Sequence, residues 1–181
     1  MKIERFTGFN KKYSYDTHRV VGRTNMQKQQ KGSNGCVWSQ TGKKYERVTM
    51  VKGVDGTWTI PGGAAEHGET SYETALREFE EETGKKLRQF LKNGQHNYNG
   101  HTDIFYGKTN ERFLPFIPTS EILERRFVKI KKLIEFSKDG FKIVSDSPEF
   151  ILRPVFRRSL IDMIATNVHF REFITPHVSK K

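Results

Sequence analysis

A single stretch, from Gly63 to Gly84, constrains this chain of 181 residues more than any other part of it. Thr70 and Glu73 have the S/T-x-x-E spacing of a capping box, in which two side chains satisfy free backbone N–H groups at a helix start. Gly84 stands where a left-handed residue ends many helices. The sequence therefore predicts a helix over residues 71–83.

The predicted helix carries two chemically different faces. Apolar residues recur at three- and four-residue steps and form a stripe that must pack on a core: Tyr72, Ala75, Leu76 and Phe79. Glu78, Glu81 and Glu82 lie at i, i+3 and i+4 on another face, with Glu80 on the solvated side. Like charges repel by about 0.2–0.5 kcal/mol per helical pair, so stability does not favour this cluster. A hard divalent cation reverses the sign of that interaction, and the stretch predicts a metal-binding helix.

The spacing of the charged and glycine residues points to a known family. Five residues after Gly63 comes Glu69, and seven residues later the chain reads Arg77-Glu78-Phe79, one residue, Glu81-Glu82, one residue and Gly84. This pattern resembles the signature of the Nudix hydrolase family, G-x5-E-x7-R-E-U-x-E-E-x-G-U, where U is a bulky aliphatic residue. Every charged and glycine position of this box matches. Phe79 is apolar but aromatic, and Lys85 departs from the last U position.

The resemblance extends more loosely over residues 34–167. Two β-prone runs, 35–39 and 47–52, precede the W-x-x-P-G-G pattern of residues 58–63, and a late strand followed by a helical turn matches residues 124–133. Pro154 suits the first turn of a closing helix. Four positions of that helix are predicted to be core: Phe156, Leu160, Met163 and Ile164. The resemblance implies an α/β fold, a Nudix-type α/β/α sandwich with a mixed β-sheet between the box helix and the C-terminal helix.

The resemblance also implies which box residues bind metal. Glu78, Glu81 and Glu82 are expected to hold Mg²⁺ or Mn²⁺ and to belong to the catalytic set. The backbone carbonyl of Gly63 is expected to add one metal contact.

Three further residues complete the expected catalytic set. Arg77 and Glu69 are expected to form an ion pair that holds the preceding loop against the helix. Outside the box, Glu124 is the candidate that helps to bind metal or to position the attacking water, and Glu121 is the second choice. The substrate-binding residues are not given by the box.

The reaction implied by the resemblance is attack of water on a phosphoanhydride in a nucleoside diphosphate linked to another moiety. Divalent metal would neutralise the charge that develops on the phosphate oxygens. Two other substrates stay open: the 5′ end of RNA, as in mRNA decapping, and diphosphoinositol polyphosphates. A non-catalytic Nudix-like binding module is a further alternative. Such modules usually lack a box acid, whereas this chain retains all of them.

The charge balance favours polyanionic partners. Lysine and arginine number 32 against 21 acidic residues, for a net charge of +11. Residues 1–33 form a basic N-terminal extension with eight lysines and arginines, two acidic residues and four interleaved aromatic side chains at positions 6, 9, 13 and 15. This extension could bind RNA, or it could dock on the domain as an edge strand. A steep salt dependence for an RNA oligomer, but not for a mononucleotide, would distinguish an RNA substrate from a small nucleotide.

The rest of the chain predicts one soluble domain. The lone Cys36 excludes an internal disulfide and a CxxC metal site. With neither a membrane-length apolar run nor a signal-peptide core, the expected location is the cytoplasm, without a membrane partner. We expect a Nudix domain over residues 34–168, including a polar loop over 92–100, and an irregular tail over 169–181.

Overall fold

The computed structural model describes residues 33–88, 90–109, 115–144 and 150–180, so residues 1–32 of the basic N-terminal extension lie outside the described residues. Its strands are β1 Asn34–Thr41, β2 Arg47–Gly53, β3 Trp58–Thr59, β4 Gly62–Gly63, β5 Leu91–Tyr98, β6 Thr102–Lys108, β7 Ile122–Lys129, β8 Ile134–Ser137, β9 Gly140–Ile143 and β10 Ser179–Lys180. Its α-helices are α1 Ser71–Thr83, α2 Pro154–Thr166 and α3 Val168–Ile174. No helix in these ranges combines the length and apolar character that a bilayer crossing requires.

A mixed sheet forms the centre of the structure. Its main path runs β3-β2-β1-β6-β5, with β4 paired to β1 and β7 paired to β2. The β1–β6 pair is parallel, and its neighbours are antiparallel. A second sheet has the order β10-β8-β9. The predicted α/β architecture with a mixed sheet is confirmed.

Helices cover the central sheet on both faces because successive side chains of a strand point to opposite sides. Val37 of β1 packs with Ala75 and Phe79 of α1. The next residue, Trp38, packs in the other and larger cluster with Phe170 of α3. The larger cluster also contains the four predicted core residues of α2, namely Phe156, Leu160, Met163 and Ile164.

The predicted ends of α1 are confirmed. The Thr70 hydroxyl accepts a hydrogen bond from the Glu73 N–H at 3.2 Å, and the Glu73 carboxylate accepts one from the Thr70 N–H at 2.9 Å. Gly84 has a left-handed φ of 71°. Thr74 and Thr83 are also buried, which the apolar stripe did not predict. Their hydroxyls donate to the backbone carbonyls of Thr70 and Phe79, one turn back. These hydrogen bonds offset the free-energy penalty of burying the polar groups.

The polar loop expected over residues 92–100 is wrong, because this segment forms β5. It is the outer strand of the sheet and pairs with β6 through a turn at Asn99 and Gly100, both of which have positive φ. Exposed edge strands carry polar side chains, so β5 lacks the apolar alternation of a buried strand. The Asn-Gly pair was the available signal for a hairpin, and the loop holds three residues because Tyr98 pairs with Thr102.

The irregular tail expected from His169 is also wrong. Residues 168–174 form α3, which begins where the Asn167 side chain accepts a hydrogen bond from the Phe170 N–H at 2.9 Å. Phe170 and Ile174 are fully buried. A helix of seven residues is stabilised by such packing rather than by intrinsic propensity, and the local sequence pattern is therefore weak.

The close approach of α1 to the sheet requires a glycine at position 35. A Cβ atom added to Gly35 would lie 2.0 Å from the Ser71 carbonyl oxygen and 2.7 Å from the Ala75 nitrogen, both in α1. These neighbours are backbone atoms and cannot rotate away. The position of the box helix on β1 thus depends on this one missing side chain.

Gly35→Ala is expected to lower the free energy of unfolding by about 1–3 kcal/mol, because α1 must shift away from β1. Urea unfolding measures the change. The exposed neighbour Asn34→Ala is the control, with an expected change within about 0.5 kcal/mol. Equal stability of the Gly35→Ala and wild-type proteins would contradict the close approach.

Candidate active site

Arg77 is the centre of the polar network on α1. Its Nε donates to Glu69 at 2.8 Å, and its Nη1 donates to Glu78 and to Glu81, each at 2.9 Å. Its Nη2 donates to the Ala64 carbonyl at 3.0 Å and again to Glu69 at 3.1 Å. The expected ion pair between Arg77 and Glu69 is present. All five N–H donors of this guanidinium therefore have acceptors within the protein.

The glycine pair before α1 lies directly against the carboxylates of the helix. The Gly62 N–H donates to a carboxylate oxygen of Glu82 at 2.9 Å. A Cβ atom added to Gly63 would lie 2.4 Å from the Oε1 of Glu78. Because β4, formed by these two glycines, pairs with β1, the central sheet sets their distance from α1. The structure thus brings Gly63, Glu78 and Glu82 together as predicted.

Burial raises the pKa values of both carboxyl groups. The pKa of Glu82 rises to about 7 because burial disfavours its charged form and Glu78 adds repulsion, against the opposing Gly62 N–H and Arg153 charge. Burial also raises the pKa of Glu78, while Arg77 opposes the rise. Negative charge at this position is therefore costly without a cation.

The remaining glutamates of the helix are more exposed. Glu81 contacts Arg77, but 56% of its side-chain surface is accessible to solvent. Glu80 forms a 3.4 Å ion pair with Lys86 and takes no part in the Arg77 network. The prediction that Glu80 lies on a different side from the carboxylate cluster is consistent with these contacts.

The two acidic candidates outside the helix have different surroundings. Glu124 is in β7 and forms an ion pair with Arg126. Its neighbour Arg125 donates to the Thr83 carbonyl at the end of α1, so alternation along the strand directs Glu124 away from α1. Glu121 precedes β7, and its negative charge raises the pKa values of the α1 glutamates at positions 78 and 82. The charge of Glu121 thus acts on the box, whereas Glu124 is paired with Arg126, and both residues stay candidates for the role outside the box.

A comparison with protein-family models identifies this arrangement. The model for the NUDIX domain matches residues 30–146, which is more than half of the chain. The chain belongs to the Nudix family. The family resemblance predicted from the box is confirmed.

Similar proteins include members of the same family. Nudix hydrolase 6 of Arabidopsis thaliana is 37% identical over 75 residues, and the match covers 35% of this chain and 26% of that protein. This chain therefore spans about a quarter of the length of that relative. A C. elegans Ap4A hydrolase binary complex is 15% identical, with 54% of this chain and 80% of that chain covered and a TM-score of 0.46. A Nudix hydrolase of M. smegmatis, RenU, is 19% identical, with 75% and 86% covered and a TM-score of 0.48.

Nudix hydrolases generally need divalent metal ions, and the donors on α1 fit such an ion. Carboxylate oxygens are the ligands that Mg²⁺ and Mn²⁺ prefer, and the missing Cβ of Gly63 leaves the Glu78 carboxylate accessible from the loop. Among the described residues, no three acidic, histidine or cysteine side chains already converge as a metal site. Arg77 explains this, because it draws Glu78 and Glu81 to its own Nη1. Burial raises the pKa of the Cys36 thiol to about 12, so this thiol is protonated at neutral pH in the metal-free protein.

Arg153 affects this Nudix site although it lies outside the box. It stands directly before Pro154 at the start of α2, and its charge acts on Glu82. It reaches the site because its N–H donates to the Trp58 carbonyl at 2.8 Å, and residues 58–63 lead into the box. Spacing along the chain carries no signal for this contact between residues 95 positions apart.

The Arg77–Glu69 pair should make the stability of this Nudix protein depend on pH. The Arg77 hydrogen bonds lower the pKa of Glu69 from 4.5 to about 2. Because the folded pKa is the lower one, the stabilisation is complete above about pH 4.5 and disappears as the pH falls through about 2. Glu69→Gln should lower the free energy of unfolding by about 1–2 kcal/mol at neutral pH. The difference from the wild type should shrink on acidification.

Denaturant unfolding in metal-free buffer at several pH values checks this prediction. The exposed neighbour Glu66→Gln controls for the loss of one negative charge from the same loop. If the free energies of unfolding of the wild type and Glu69→Gln differ by the same amount at neutral pH and at pH 3, the ion pair does not stabilise the protein as described.

Proposed function

We propose that this protein hydrolyses a phosphoanhydride bond in a nucleoside diphosphate linked to another moiety, with Mg²⁺ or Mn²⁺ bound at α1. The observation that supports this most is the pair of partly buried carboxylates, Glu78 and Glu82, beside a glycine loop. Their raised pKa values show that the protein bears an electrostatic cost at this position. A metal ion would remove that cost and leave coordination positions for phosphate oxygens.

The residues present assign the roles in this proposal. Glu78, Glu81 and Glu82 would hold the metal, and the Gly63 carbonyl would add a contact from the loop. The bound cation supplies neutralisation of the negative charge on the phosphate oxygens. Arg77 keeps the helix and the loop in register through its contacts with both.

The reaction itself needs a water molecule and a proton acceptor. The water oxygen bonds to one phosphorus atom, the bond from that phosphorus to the bridging oxygen breaks, and the two products leave as phosphates. The water proton passes to a carboxylate. Glu121 is the better candidate for orienting this water, because its charge acts on Glu78 and Glu82, whereas Glu124 is paired with Arg126.

The identity of the second moiety is open in this proposal. A substrate panel resolves it: dinucleoside polyphosphates, ADP-ribose, nucleoside triphosphates, inositol pyrophosphates and capped RNA, each with Mg²⁺ and with Mn²⁺. Product masses show which bond is broken. A Nudix-like binding module would bind one of these compounds without converting it.

Hydrolysis should stop on exhaustive chelation and return when Mg²⁺ or Mn²⁺ is added in excess. The physical reason is that repelling carboxylates cannot by themselves stabilise a reaction centre crowded with phosphate oxygens. The measurement is the initial rate on the best substrate of the panel before and after chelation. A full rate without any divalent metal would rule out metal-dependent catalysis.

Single glutamate variants test the assignment of residues on α1. Glu82→Gln or Glu81→Gln should reduce kcat by about 10²–10⁴-fold. The matched control is Glu80→Gln, which removes the same charge from the same helix but from the Lys86 ion pair, and its kcat should change little. If Glu80→Gln is as damaging as the other two, the assigned metal-binding face is wrong.

A further inference from the structure

Two arginines lie near the carboxylates of α1, but their donors are used differently. Arg77 directs all five N–H groups to protein acceptors at 2.8–3.1 Å. Arg77 therefore has no donor available for a substrate unless it gives up a contact with the box. A second guanidinium, that of Arg153, is less completely engaged.

Arg153 has its backbone held in place at the edge of the site. Its N–H donates to the Trp58 carbonyl, and the Trp58 N–H donates to the Ile151 carbonyl, both at 2.8 Å. This bridge joins the start of α2 to the chain that runs into Gly62 and Gly63. The Arg153 backbone is thus as well ordered by hydrogen bonds as the strand beside it.

The guanidinium of Arg153 is only weakly engaged within the described residues. Its Nη2 lies 3.3 Å from the Asp55 carboxylate, and its Nε lies 3.4 Å from the Thr57 hydroxyl; both are long for a charge-assisted hydrogen bond. About 41% of the side chain is exposed. The absent side chain of Gly53 makes room for the group, since a Cβ there would lie 2.6 Å from Nη2.

We propose that Arg153 binds a phosphate group of the substrate, beside the metal carboxylates, by exchanging its long contact with Asp55 for a bidentate contact with phosphate oxygens. This inference rests on the proposed function, because it assigns part of the substrate-binding site for the same reaction. Planar guanidinium groups match two phosphate oxygens at once, which a lysine cannot do. The Arg153 N–H is bonded to Trp58, and the same segment continues to Gly62, whose N–H donates to Glu82, so the guanidinium and the metal carboxylates are attached to one short stretch of chain.

A purely structural role would explain Arg153 differently. In that case its ion pair with Asp55 would serve to attach α2 to the turn between β2 and β3. The two roles predict opposite effects of Asp55→Asn on the affinity for a diphosphate analogue. Loss of the carboxylate removes the structural attachment, but it frees the guanidinium for phosphate.

The test is calorimetric titration with methylenediphosphonate, a diphosphate analogue without a cleavable bridging oxygen, in the presence of Mg²⁺. Arg153→Gln should raise the Kd for this analogue by about 10- to 100-fold. Arg153→Lys should weaken it less, because charge remains and the bidentate geometry is lost. Arg157→Gln, an exposed arginine of the same helix, controls for general loss of positive charge and should stay within about twofold. Asp55→Asn should bind as tightly as the wild type or more tightly.

Each outcome decides the question. A folded Arg153→Gln protein with a wild-type Kd overturns the inference, and so does equal weakening by Asp55→Asn and Arg153→Gln. If Arg153→Gln does not fold, Arg153→Lys replaces it, and an unchanged Kd overturns the inference. If the wild type hydrolyses a panel substrate while Arg153→Gln keeps the same KM, only the role of Arg153 fails. If the wild type neither binds the analogue nor hydrolyses any substrate, the proposed function fails as well.

Discussion

The five hydrogen bonds of the Arg77 guanidinium are the interaction on which the site depends. They join Ala64 and Glu69 of the loop to Glu78 and Glu81 of the helix. Without this cation, several carboxylates would repel one another on one side of α1. Glu78 and Glu81 are bonded to Arg77 and Glu82 is bonded to the Gly62 N–H, and the described residues contain no three side chains that already converge as metal ligands. Metal binding would therefore compete with Arg77 for at least two of these oxygens.

The sheet contributes by controlling how near the backbone comes to these carboxylates. Gly35 lets α1 rest on β1, and β4 pairs with the same strand and presents Gly62 to Glu82. The helix that carries the acids and the loop that faces them are thus positioned by one strand. Small changes in the packing of that strand would change the position of Gly62 relative to Glu82.

Most of α1 could be predicted from the sequence because its signals are local. Thr70, Glu73 and Gly84 specify its ends through bonds within a few residues, and the ion pair of Arg77 with Glu69 follows from the box. Edge strand β5 and helix α3 were missed because neighbouring elements, rather than strong local patterns, stabilise them. The preference for Glu121 over Glu124 depends on the register of β7, which pairs Glu124 with Arg126, and on the position of Glu121 just before that strand. No spacing along the chain reveals that distinction before the register is known.

The proposed chemistry requires the carboxylates of α1 to hold a divalent cation. The most direct measurement of this binding is anomalous diffraction from crystals of the metal-free protein after a Mn²⁺ soak. We expect a strong anomalous peak in contact with carboxylate oxygens of Glu78 and Glu82, together with a displaced Arg77 guanidinium. An unchanged Arg77 network with no peak beside these two residues, at Mn²⁺ concentrations that support hydrolysis, would contradict this expectation.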